Sequence, residues 1–493
     1  MIKNIFKKML LRMLIWTEKR PQQETAHKKL PFWYKEVHIP VTVIITVNAL
    51  LILVSLILEV GPTARKLTGL ILFLGIFFLL VVSYMRKYLS HLSKDNDAIM
   101  LMGILTSMSV LVIETVKSGR GLSPFFIPLA GIILLAAMLL GESAGIILSV
   151  AVSVVLGLMY GFNFEYFIYH FVAGLVAVWY SGRIKRRQDI MTNGVYVAVS
   201  NIIFIFIFTL LGRLRASDLQ GNLLWAVANG FSGAILVLAL LSPFETFFSR
   251  ITHIKLIELS DFNQPVLKRL MLEAPGTFQH SLSVASIAEQ AAEAIGADSL
   301  LVRVGSFYHD VGKLIKPEYF IENQIATENP HDFIQPSMSG LVVISHVREG
   351  ASIARLQNLD RPIIDLIEQH HGTSLMYVFY QKALESMGET KEAVFRYPGP
   401  KPKTKESAIL MLADSCEAAT RAVESLSPGK IKDTVEKVIN NKFTDGQFDE
   451  APISLSDLHK LAESMITTLT GMHHARVEYE QQETKERGPD SQG

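Results

Sequence analysis

Residues 123–182 read SPFFIPLAGIILLAAMLLGESAGIILSVAVSVVLGLMYGFNFEYFIYHFVAGLVAVWYSG, and their only Asp, Glu, Lys or Arg side chains are Glu142 and Glu165. A hydrocarbon core about 30 Å thick is crossed by roughly 20 apolar residues in a helix. This stretch is therefore three closely spaced membrane spans rather than part of a soluble core. Extending the same reading outward gives eight apolar windows: 39–60, 67–86, 98–116, 124–141, 143–161, 164–182, 193–212 and 222–243. The fourth and fifth meet at Gly141-Glu-Ser143, which predicts a tight hairpin. The first window begins too late and runs too long for a cleaved signal peptide.

Basic residues orient the spans. Lys3, Lys7, Lys8, Arg12, Lys19, Arg20, Lys28, Lys29 and Lys35 precede the first window, and Arg183, Lys185, Arg186 and Arg187 follow the sixth. Eight spans put both flanks, and the C-terminal half, in the cytoplasm. Residues 2–16 alternate basic and apolar positions, as either a surface-lying segment or a plain positive flank. Ionisable groups inside the spans are scarce, which argues against a proton-coupled transporter. His170 lies deep and reads as a neutral, hydrogen-bonded packing residue.

The averages over 493 residues hide this division: 49% hydrophobic, 19% charged, net charge +1. A charge so near zero gives no sign of a nucleic-acid polymer as partner. The one cysteine, Cys416, excludes an internal disulfide framework. After residue 249 the chain reads as a soluble all-α domain. A helical connector breaks near Pro265, and helix-sized patterns follow at 279–295, 300–316, 337–355, 361–371, 375–386, 405–425, 429–441 and 455–475. The expected organisation is a basic segment 1–37, a transmembrane bundle 38–248, a connector 249–273, a catalytic domain 274–480 and a polar, disordered tail 481–493.

Histidines are unevenly placed in that domain. His280 stands alone, His309 and Asp310 form a doublet in Tyr308-His-Asp-Val-Gly-Lys313, and His346 stands alone. His370 and His371 form a second doublet, and Asp414 follows in an apolar helix. Singly, each has an ordinary explanation in packing, capping or surface polarity, although a buried unpaired carboxylate at Asp414 is costly. Together, in this order, they point to metal. Imidazole with carboxylate suits Zn, Fe or Mn. Five histidines and two aspartates exceed one tetrahedral ion and suit two.

This order resembles the HD-domain metallophosphohydrolases. Glu322-Asn-Gln324, Asn329-Pro-His-Asp332, His370-His-Gly-Thr-Ser374, Phe395-Arg-Tyr-Pro-Gly-Pro400 and Met411-Leu-Ala-Asp-Ser415 narrow it to the seven-transmembrane-receptor HD family. These are the PgpH-type cyclic di-AMP phosphodiesterases of bacteria. The resemblance covers roughly residues 67–480. It implies one ion on His280, His309, Asp310 and Asp414, and another on His346, His370 and His371 with Asp310 bridging, both Fe or Mn. It implies hydrolysis of cyclic di-AMP to 5′-pApA at the inner membrane, with Asp310 and Lys313 catalytic. Lys313 is expected to offset phosphate charge, Arg396 to bind a phosphate or stack on a base, and Tyr397 either to stack on adenine or to serve packing. His331 is ranked outside the ligand set. Partners are the cyclic dinucleotide and the bilayer, and a homodimer is admitted. Family members usually carry a large extracellular domain between the first span and the next seven; here residues 61–66 fill that interval. His-His-Gly-Thr-Ser-Leu stands where the related HD-GYP family has His-His-Glu and Gly-Tyr-Pro, which argues against cyclic di-GMP. The rival readings are hydrolysis of another nucleotide, such as cyclic di-GMP or ppGpp, or a receptor that senses nucleotide without cleaving it.

Overall fold

Proline decides where the membrane half departs from uninterrupted helices. Residues 124–141, expected as one span, divide into a 3-10 turn, Pro124–Phe126, and a short α-helix, Leu129–Leu140. Pro128 has no N–H to donate and disfavours helical backbone at Ile127. The carbonyls this frees are taken up by side chains. His170 Nε2 lies 3.0 Å from the Pro124 carbonyl, and the Tyr169 hydroxyl donates to that of Phe125 at 3.1 Å. The Asn229 amide donates to Phe125 and Ile127 at 3.1 and 2.6 Å. Unsatisfied backbone is not tolerated away from water, so these side chains are what permits the break. Twelve residues rise only about 18 Å, so this helix is too short to cross a bilayer alone.

The structure is a computed structural model of the chain. It describes residues 49–57, 63–119, 121–324, 328–423 and 427–486, with backbone alone at 67, 91, 387 and 474–486. The basic segment 1–37, most of the first expected span and residues 487–493 of the expected tail lie outside the described residues. Residues 49–57 are helical. Then come α1 Ala64–Tyr88, α2 Asn96–Ser118, α3 Leu129–Leu140, α4 Glu142–Met159, α5 Phe164–Ser181, α6 Arg187–Leu210 and α7 Leu219–Phe247. Among the described residues, five helical segments are long and apolar enough to cross a membrane: Ala64–Tyr88, Asn96–Ser118, Glu142–Met159, Arg187–Leu210 and Ala216–Phe247. The α3–α4 hairpin turns at Gly141, whose φ of +95° suits glycine. Apolar Ile71, Leu72, Ile76, Leu79 and Leu80 stand exposed on α1, a surface that suits lipid and not water.

The second half follows as α8 His253–Leu259, α9 Pro265–Glu273, α10 Pro275–Ile295, α11 Ser299–Tyr308, α12 Pro336–Leu356, α13 Arg361–Gln369, α14 Tyr377–Met387, α15 Lys405–Arg421, α16 Pro428–Thr444 and α17 Leu455–Glu486. Among the described residues no β-strand forms; one isolated bridge pairs Leu375 with Arg396. The connector is part of the domain core: Leu256, Leu259, Val266, Leu267 and Leu270 are buried with Phe307, Tyr308 and Val311. A second core gathers Val284, Ile287, Met411, Leu412, Val435, Leu461 and Met465. The helix expected over 300–316 ends at Tyr308, and Val311–Ile315 continues as a 3-10 helix. That tightening turns His309 and Asp310 inward together.

Candidate metal centre

Both doublets sit where helices end. His309 caps α11 and His370 caps α13. The last carbonyls of a helix lack backbone donors. Each imidazole uses one: His309 Nδ1 lies 2.8 Å from the Ser306 carbonyl and His370 Nδ1 2.8 Å from that of Ile367. His346, within α12, does the same with Val343 at 2.6 Å. Holding Nδ1 as a donor leaves Nε2 bare and aimed at the cluster, the arrangement that metal-binding histidines need.

Asp310 lies at the middle. Its Oδ2 is 3.2 Å from His309 Nε2 and 3.6 Å from His280 Nε2, and its Oδ1 is 3.3 Å from His346 Nε2 and 3.8 Å from His370 Nε2. Asp414 closes the His280 side: its Oδ1 lies 3.0 Å from His280 Nε2 and 3.8 Å from His309 Nε2, and its Oδ2 3.6 Å from His371 Nδ1. Three donor groups result: His280 with His309 and Asp414; His346 with His370 and His371; His309 with Asp310 and His370. All seven residues singled out from the sequence come together.

Gly312 makes this approach possible. A Cβ there would stand 1.8 Å from the His346 carbonyl, so no other residue type lets the 3-10 segment lie against α12.

The cluster is electrostatically incomplete. His309 Nε2 and Asp310 Oδ1 are buried without a hydrogen-bond partner, an expensive condition unless a cation satisfies them. Burial opposes ionisation of Asp310, yet His309 and Lys313 outweigh it and hold the carboxyl well below the usual range. Burial likewise opposes the His309 imidazolium, but Asp310 and Asp414 push its pKa up to about 10. Burial and the neighbouring imidazoles drive His370 down to about 3. Positive charge is thus demanded beside the two aspartates, and nitrogen and carboxylate donors fit divalent ions there.

The expected substrate contacts fare differently. Lys313 Nζ lies 2.7 Å from Asp310 Oδ2 and 2.7 Å from Glu322 Oε1, so it reaches the cluster. Arg396 does not present a free guanidinium. It pairs with Glu392 at 2.7 Å and Asp445 at 2.8 Å, and donates to the Thr373 carbonyl at 2.8 Å. Through these contacts it braces the loop after the second doublet. The Tyr397 ring stands against His371, with centroids 4.3 Å apart, and thereby backs a cluster imidazole. His331 lies apart from the seven, its Nε2 2.8 Å from the Tyr319 carbonyl and its ring against Phe379. Sequence reading missed Glu322, Glu417 and Arg421, which surround Lys313 and His280. Glu322 had a signal in the Glu322-Asn-Gln324 motif, and Glu417 in lying three residues after Asp414 on one helix face. A cleft of about 340 Å³ opens beside His280, bordered by Gln279, Ser283, Glu322, Arg421 and Met472.

An apolar helical bundle continuing into an all-α domain with this cluster defines a membrane-attached HD protein. Residues 65–252 match the family model described as "7TM receptor with intracellular HD hydrolase", and residues 277–419 match the HD domain. The two halves of the chain are thus similar, in the same order, to the membrane and HD parts of that family. It is 36% identical over 427 residues to the cyclic-di-AMP phosphodiesterase PgpH of Bacillus subtilis (strain 168), covering 84% of this chain and 60% of that one. It is 41% identical over 315 residues to PgpH of Listeria monocytogenes serotype 1/2a (strain 10403S), covering 63% of this chain and 44% of that one. The chain therefore spans about three fifths or less of the length of these two relatives. A crystal structure of the Listeria monocytogenes PgpH HD domain in complex with cyclic di-AMP is 46% identical, covering 43% of this chain and 100% of that one, with a TM-score of 0.42.

Proposed function

We propose that this chain is a membrane-anchored phosphodiesterase that hydrolyses cyclic di-AMP to 5′-pApA at a centre of two Fe or Mn ions, with its HD domain on the cytoplasmic face of the bacterial inner membrane. The observation that carries this reading is the gathering of seven donor residues in one cluster, with four imidazoles within 3.8 Å of the Asp310 carboxylate. The substrate comes from the relatives, two of which are named cyclic-di-AMP phosphodiesterases. His280, His309, Asp310 and Asp414 would hold one ion, and His346, His370 and His371 the other, with Asp310 shared. Bound there, such ions lower the pKa of water and offset phosphodiester charge.

The chain's own groups do the rest. Lys313 has three N–H donors. Two are engaged by Asp310 and Glu322, which leaves a third for a phosphate oxygen. Its partner Glu322 keeps the ammonium pointed at the centre. Tyr397 and Phe320 lie against cluster imidazoles and hold their planes. The cleft beside His280 offers room for a nucleotide next to the cluster. Hydrolysis breaks one P–O3′ bond and leaves a 3′-hydroxyl and a 5′-phosphate.

The test is a panel of nucleotides given to the purified full chain in lipid nanodiscs: cyclic di-AMP, cyclic di-GMP, ppGpp and bis(p-nitrophenyl) phosphate. Cyclic di-AMP should turn over fastest, with 5′-pApA as product. Preference for another nucleotide would overturn the substrate, and binding of cyclic di-AMP without turnover would favour a receptor.

A further inference from the structure

The four imidazoles whose outer nitrogens are held do not have equivalent partners. His309, His346 and His370 each place Nδ1 on a neutral carbonyl three residues back in the chain. His280 alone among them has a carboxylate there: its Nδ1 lies 2.7 Å from Glu417 Oε2. Glu417 is buried, and Arg421, one turn further along α15, pairs with it. The Arg421 guanidinium also lies 2.9 Å from His280 Nδ1. Both groups cannot donate at once, since arginine has no acceptor. An ion on Nε2 forces the ring proton to Nδ1, so His280 then donates to Glu417 and Arg421 is left as the carboxylate's counter-charge.

We propose that Glu417 is a positioning residue that makes the His280 site the more tightly metal-binding of the two. The inference rests on the two-ion reading above. A carboxylate behind a ligating histidine fixes the tautomer and ring plane and raises the basicity of the nitrogen facing the ion. In the other group His346 and His370 have carbonyls in that position, so those two imidazoles are weaker bases. Glu417 and Asp414 are one helical turn apart on α15. One helix thus supplies both a direct carboxylate donor and the support for the histidine opposite it. Glu417 also borders the cleft beside His280, but its hydrogen bonds go to His280 and Arg421 and to none of the second histidine group.

The experiment is metal loading of the full chain in nanodiscs. The metal-free protein, its Glu417→Gln form and its Glu417→Ala form are each dialysed against a series of buffered free Mn²⁺ concentrations. Bound metal is counted by mass spectrometry and the ions' magnetic coupling is read by electron paramagnetic resonance. The native chain should take up two ions in two separated steps. Glu417→Ala should weaken the tighter step by about 10–100-fold and leave the weaker one within about threefold. Its two steps then merge, so the coupled two-ion spectrum appears at lower metal-to-protein ratio than in the native chain, which stays mononuclear until the first step is filled. Glu417→Gln should fall between, because an amide oxygen still accepts from His280 but carries no charge. That form matches the native side chain in shape, so it decides the matter if the alanine form does not fold. Unchanged uptake in Glu417→Gln and Glu417→Ala, or equal weakening of both steps, would overturn the proposal. A native chain that binds no metal would instead overturn the function proposed above, and this inference with it.

Discussion

The Tyr308 hydroxyl donates a 2.8 Å hydrogen bond to the carbonyl of Leu259 at the end of α8. Tyr308 immediately precedes His309, so the connector is fastened to the chain one residue from the cluster. One residue earlier than Leu259, Glu258 pairs with Arg187 at the start of α6, 3.0 Å away. The membrane bundle and the HD doublet therefore grip the same short helix. Tyr308→Phe leaves that carbonyl without its partner and should cost about 1–3 kcal/mol of stability. Thermal melts in nanodiscs check this; an unchanged melt would mean that water replaces the hydroxyl.

Asp310→Ala should reduce hydrolysis to background and lower metal content, since both histidine groups face that carboxylate. His331→Ala should retain most of its turnover, because His331 bonds to Tyr319 outside the cluster. Steady-state rates and bound metal are measured on the same samples. Equal loss in the two variants would place His331 in the ligand set.

Gly312→Ala should disable the centre without touching a donor. Its Cβ would overlap the His346 carbonyl at 1.8 Å, so the 3-10 segment and α12 must separate and carry Asp310 away from His346. Metal uptake at micromolar Mn²⁺ should fall sharply, and normal uptake would refute the packing argument.

The metal-free protein should be most stable near the ordinary histidine pKa of about 6.5. His309 has its folded pKa raised to about 10, so its contribution is complete below about 6.5 and is lost as pH rises toward 10. His370 has its folded pKa lowered to about 3, so its contribution is complete above about 6.5 and is lost as pH falls toward 3. Melting temperature against pH should therefore form a dome, and bound metal should flatten its alkaline side. A monotonic profile would contradict the opposed shifts.

The connector belongs to the folded domain. A fragment of residues 250–493 should fold and keep catalysis, while one of residues 274–493 should melt far lower. The shorter piece strips Leu256, Leu259, Val266, Leu267 and Leu270 from the core, and burying each such side chain is worth about 1.5–3 kcal/mol. Similar melting of the two fragments would overturn this.

The helices and the seven clustered residues were legible because their signals are local or ordered. Apolar windows of span length, two doublets and an aspartate in an apolar helix carry their meaning in sequence. What was not legible depends on pairing across the fold. Glu417 reads as an ordinary acidic residue until His280, 137 positions away, is seen beside it. Arg396 reads as a substrate contact, and its pairing with Asp445, 49 positions on, has no local signal. The break at Pro124–Phe126 was not read within the 124–141 window, and its tolerance rests on Asn229 about a hundred residues later.

The most direct measurement of the central claim is a single incubation of the native full chain, its bound metal counted beforehand, with cyclic di-AMP, the product being followed by mass spectrometry. The account predicts two ions per chain and conversion to 5′-pApA, lost in Asp310→Ala. A folded chain holding two ions that leaves cyclic di-AMP intact would contradict it.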